Sequence, residues 1–101
     1  MKQVLVLGAV AGVLALSGPA AANPIERACM QSDRSAATRS LCRCIGDAAD
    51  RTLSHGDMRT GSRFFRDPGE AQRVQLSDTT RNDAFWERWQ NFAATAEAMC
   101  G

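Results

Sequence analysis

The sequence predicts an all-α domain, a small disulfide-stapled irregular bundle of four to five helices. Three observations predict it. β-Branched residues are scarce and never alternate with polar ones over a useful length, so the strand signal is missing. Apolar residues in the last third of the chain recur at helical spacing. Four cysteines, Cys29, Cys42, Cys44 and Cys100, follow an N-terminal stretch built like an export signal, which places the domain in an oxidising compartment.

The export signal comes first. Met1 and Lys2 are its basic start, and Val4 to Leu16 is an apolar run. Ser17, Gly18 and Pro19 break any helix, and Ala20, Ala21 and Ala22 are small residues where a signal peptidase reads. Cutting after Ala22 keeps Pro19 from lying three residues before the bond. The run is 13 residues long, short of the roughly 20 that span a bilayer, and no cysteine stands at the cut. The expected organisation is therefore a cleaved signal peptide, residues 1–22, and a single helical domain, residues 23–101, that is periplasmic or secreted and inserts into no membrane.

Removing 22 of the 101 residues leaves 79. At that size a hydrophobic core alone supplies only ~3–5 kcal/mol. Without Lys2 the domain carries 11 arginines against 11 acidic residues, so no bulk field steers it toward nucleic acid. All of its basic residues being arginine fits either a biased genome or bidentate anion contacts.

The elements follow in order. Pro24 to about Gln31 forms a short first helix, with proline where its missing N–H costs nothing. Ser32, Asp33 and Arg34 turn the chain. Ser35 is the expected N-cap of a second helix to about Leu53, with Leu41, Ile45, Ala48 and Ala49 on one face. Asp47 and Arg51 are spaced for an ion pair one turn apart. His55 and Gly56 are expected to end it as a glycine cap. Asp57 then opens a third helix to about Arg66, with Met58, Gly61, Ser62 and Phe65 inward. Asp67, Pro68 and Glu70 restart the chain as cap, first and third helical residues, and this short helix carries Ala71 and Val74 and stops near Leu76. Thr80 or Asp78 caps the last helix, whose stripe is Phe85, Trp89, Phe92, Ala93, Ala96, Met99 and Cys100.

Four cysteines allow three pairings. Cys42 and Cys44 lie two apart on a helix, where side chains point about 200° apart, so they do not bond each other. The favoured scheme is Cys29–Cys42 with Cys44–Cys100; Cys29–Cys44 with Cys42–Cys100 stays open. A single C-x-C with one distant histidine does not match a zinc site. Met30, Met58 and Met99 are isolated at helical spacing, which favours core positions over copper ligands.

No catalytic or metal-binding constellation is legible, and no cofactor is expected. His55 reads as a polar turn residue, and the carboxylates are scattered among arginines. Two surface features stand out. Arg59, Arg63 and Arg66 form a stripe on the third helix able to meet an anion or acidic partner, with only Asp67 placed to pair with Arg63. Trp86, at the edge of the last helix's stripe, is either core or an interface anchor.

Residues 28–34 (ACMQSDR), the run LCRCI-x3-AD-x-TL from Leu41, FFRDP-x2-AQ from Phe64, and DAFWERW-x2-F-x3-AEA-x-C from Asp83 together resemble a family of small exported four-cysteine alphaproteobacterial proteins. The resemblance runs from Pro24 to Cys100. It implies the compartment and the cysteine framework and no active site. Some members carry the label "arginine transporter". A 79-residue chain with no spanning helix cannot itself carry a solute across a bilayer, and it is too small for a two-lobed solute receptor.

The functional expectation is a non-enzymatic binding or accessory module for a protein or envelope partner. One alternative is a carrier of a small apolar or anionic ligand, with a pocket among Phe64, Phe65, Phe85, Trp89 and Met99. A more distant one is a thiol–disulfide redox protein using Cys42 and Cys44.

Overall fold

The computed structural model describes residues 22–101, so the export-signal reading, apart from Ala22, lies outside the described residues. Five helices and no strand occur among the described residues: α1 (Pro24–Gln31), α2 (Arg39–Thr52), α3 (His55–Arg66), α4 (Pro68–Leu76) and α5 (Thr80–Cys100). None is long and apolar enough to cross a membrane.

Asn23 does two things for α1. Its Oδ1 accepts from the Glu26 N–H at 2.8 Å, capping the helix, while Nδ2 donates to the Gly46 carbonyl at 2.8 Å and to Asp50 Oδ1 at 3.0 Å. One side chain thus starts α1 and moors it to α2. The two helices run antiparallel, since Glu26 lies against Gly46 while Cys29 is bonded to Cys42. Contact is close there: a Cβ on Gly46 would come within 2.9 Å of Glu26 Cβ. The second bridge, Cys44–Cys100, ties the start of α2 to the end of α5.

Helix α2 begins later than Ser35 would have it. Thr38 is the cap, its Oγ1 accepting from Leu41 N–H at 3.1 Å, and residues 32–38 form the link. The chain turns within that link, where Ala37 N–H donates to the Arg34 carbonyl. The end differs too. Leu53 closes α2, and His55 and Gly56 open α3 rather than stopping its predecessor. Ser54 Oγ accepts from Asp57 N–H at 3.1 Å, a cap that starts a helix at once. Gly56 does not take the left-handed backbone that a glycine stop requires; Gly101 alone does among the described residues.

The buried face of α3 is Asp57, Met58, Gly61 and Phe64, with Phe65 and Ser62 at the margins, so docking against its neighbours turns it toward Phe64 rather than Phe65. Asp67 caps α4 as expected, accepting from Gly69 N–H at 3.1 Å. Its carboxylate is bound to Arg73 at 3.0 Å, not to Arg63, because Arg73 can also reach Glu70. Asp47 and Arg51 are both exposed and form no ion pair. Thr79, one residue before Thr80, caps α5.

The core is Ile25, Ala48, Ala49, Leu53, Met58 and Phe92, edged by Ile45, Phe65, Trp89 and Ala96. On α5 the inward positions are Phe85, Trp89, Phe92 and Ala96, spaced 4, 3 and 4 apart. Ala93 and Met99, expected in the stripe, face outward because the α2 contact is narrower than seven residues. Of the isolated methionines only Met58 is core; Met30 and Met99 are exposed.

Candidate functional site

Helices α1 and α3 pack side by side, and a groove of about 280 Å³ runs between them. From α3, His55, Arg59, Ser62 and Arg66 line it, spaced 4, 3 and 4 apart and so on one face. From α1, Pro24, Arg27, Ala28 and Gln31 form the facing wall. Three guanidinium groups, an imidazole, an amide and a hydroxyl share one groove.

Among the described residues, no carboxylate lines the groove. The only acid of α1 is Glu26, which faces α2 at Gly46 on the other side of the helix. The only acid of α3 is Asp57, which is buried and taken by α5. Arg88 Nε donates to Asp57 Oδ2 at 2.7 Å, and Arg88 Nη2 to Oδ1 at 3.0 Å. Those hydrogen bonds hold the Asp57 carboxyl below its ordinary pKa, against the opposing push of burial, and raise the Arg88 guanidinium. Among the described residues, Arg27, Arg59 and Arg66 form no ion pair. Arg27 Nη1 donates instead to the Ala22 carbonyl.

The arginine stripe is therefore divided. Arg59 and Arg66 share the groove, while Arg63 is exposed and outside it. Arg27 and His55 were not legible as partners. The i, i+4, i+7, i+11 series from His55 becomes visible only once α3 is known to start at Ser54, and Arg27 meets it only through tertiary packing. Trp86 is half-buried, with its indole N–H buried and without an acceptor among the described residues.

The expected aromatic pocket is filled by its own walls. Phe64 meets Trp89 edge-on at 5.1 Å and Phe85 at 6.0 Å, and Phe85 stacks on Trp89 at 5.8 Å. What remains is a hollow of about 150 Å³ under Arg34, Phe64, Phe65 and Trp89; Met99 lies elsewhere. All four cysteines are bonded, Cys29 and Cys42 buried and Cys44 and Cys100 half-buried. No three histidine, cysteine or acidic side chains gather into a metal-binding group among the described residues. Comparison of the chain with protein-family models, with curated proteins and with solved structures finds no match.

Proposed function

We propose that the chain is an exported, non-enzymatic binding module of the periplasm or cell exterior, whose α1–α3 groove receives an anionic group of a partner protein or envelope component. The observation that carries this is the groove's charge: Arg27, Arg59 and Arg66 together, with the acids of both helices committed elsewhere. Its volume of about 280 Å³ lies just under the roughly 300–1,000 Å³ of pockets that enclose whole small molecules. That favours one anionic group on a larger partner over a carried ligand.

Export is supported by the two disulfides. Asn23, the residue after the expected cut, is anchored by three hydrogen bonds. The cut would also remove the Ala22 carbonyl that occupies Arg27. The test is retention of the purified domain by the envelope fraction. Arg59→Glu with Arg66→Glu should abolish a salt-sensitive retention that Arg81→Glu, on α5, leaves intact. Equal retention of all three proteins would eliminate the groove as the contact.

A further inference from the structure

We infer that Cys44–Cys100 is an exchangeable bridge, a modification site at which a protein dithiol releases the end of α5 while the fold persists. The two bridges differ in access. Cys29 is 4 % exposed and Cys42 0 %, whereas Cys44 and Cys100 are both half-buried. Exchange requires a thiolate to reach a bridge sulfur, so access separates the two pairs. Cys100 also ends an exposed turn: of residues 97–101, it alone is not exposed. Ala96 is the last residue of α5 packed against the core. Beyond it, the bridge is what ties α5 to α2. Opening that tie leaves the core cluster and the Cys29–Cys42 staple in place.

In the exchange, one thiolate of the dithiol attacks Cys100 Sγ and forms a mixed disulfide. The Cys44–Cys100 bond breaks, and its electron pair leaves on Cys44 Sγ, which takes up a proton. Cys44 is the sulfur displaced because Cys100 lies at the carbonyl end of α5, where a thiolate is disfavoured. The second thiol of the dithiol then attacks its own partner sulfur, closing the dithiol's disulfide and releasing Cys100 as a thiol. Two electrons and two protons pass from the dithiol to the bridge. The freed Cys44 does not scramble the remaining bridge, since it points about 200° away from Cys42 on the same helix. The opened form is therefore discrete and reversible. The protein is the substrate of this exchange, not its catalyst.

The experiment treats the oxidised exported protein with dithiothreitol at neutral pH without denaturant. Samples are quenched in acid over time, and alkylated cysteines are mapped by peptide mass. A species alkylated at Cys44 and Cys100, with Cys29–Cys42 closed, should accumulate. Its bridge should open at least about tenfold faster than the other, because the buried pair waits on local unfolding. Far-UV circular dichroism should stay at the oxidised level. Amide exchange should speed at Ala98, Met99 and Cys100, while Ala49 and Phe92 keep their protection. Oxidised glutathione should restore the starting mass and exchange rates. Simultaneous opening of both bridges, or earlier opening of Cys29–Cys42, overturns the proposal. So does loss of helix, or of protection at Ala49 and Phe92, in the species with only Cys44–Cys100 open.

Discussion

Replacing Gly61 with alanine probes how α3 meets the aromatic cluster, and Gly56 on the same helix is the control. Each substitution adds one methyl group and gains alanine's helix propensity, up to ~1 kcal/mol in a helix interior and less near an end. At Gly56 the new Cβ meets nothing nearer than 3.9 Å. At Gly61 it would lie 2.1 Å from Trp89 Cζ3 and 2.6 Å from Cη2, where ordinary contact begins at 3.4 Å. The nearest ring carbon must therefore retreat by about 1.3 Å. Phe64 at 5.1 Å, Phe85 at 5.8 Å and Phe92 at 4.8 Å surround the indole, so the retreat repacks the whole cluster. Overpacking of this kind costs ~1–3 kcal/mol, and the propensity gain offsets part of it. Thermal melts followed by far-UV circular dichroism should show Gly61→Ala falling by ~4–12 °C and Gly56→Ala rising by a few degrees, at ~4–8 °C per kcal/mol for a domain of this size. Tryptophan fluorescence should shift in the first variant only. A Gly61→Ala protein as stable as the wild type, with an unchanged spectrum, would refute the seating of Trp89 on that glycine.

Three further outcomes are expected. Strong reductant should lower the melting temperature sharply; removing Cys44–Cys100, which spans 56 residues against 13, should cost ~4 kcal/mol against ~3 for Cys29–Cys42, and superimposable oxidised and reduced melts would contradict this. Asn23→Ala should destabilise by ~1–2 kcal/mol in urea titrations, through loss of both the α1 cap and the mooring to Gly46 and Asp50, and should speed amide exchange at Glu26. Because the folded Asp57 pKa lies below its ordinary 3.8, its pairing stabilises the fold above that value and the benefit is lost as the pH falls through the folded pKa. Asp57→Asn should thus cost ~1–2 kcal/mol at pH 7, a figure kept low because Arg88 is half exposed, and the gap in melting temperature should close in acid below about pH 3.8. A gap of constant size from pH 7 to acid would place the stabilisation elsewhere.

Several sequence readings of local structure agree with the observed helices for local reasons. Pro24, Pro68 and Asp67 act within four residues of themselves, so the starts of α1 and α4 are readable from neighbours alone. The Ser54 cap was obscured by Gly56, whose stop signal is valid only if the backbone goes left-handed. Competing caps at Ser35 and Thr38, and at Asp78, Thr79 and Thr80, are alike in chemistry, and the packed return of the chain chooses among them.

The chain alone determined that the domain is helical and that Cys42 and Cys44 need different partners, because helical periodicity and backbone geometry operate over a few residues. Tertiary structure decided which face of α3 is buried, and so which arginines stand together. It also decided that Arg27 joins Arg59 and Arg66 while Arg63 does not, and that Asp57 is spent on Arg88. Those outcomes depend on how α1 and α5 dock against α3 across dozens of residues, and no short-range pattern encodes the placement of one helix beside another.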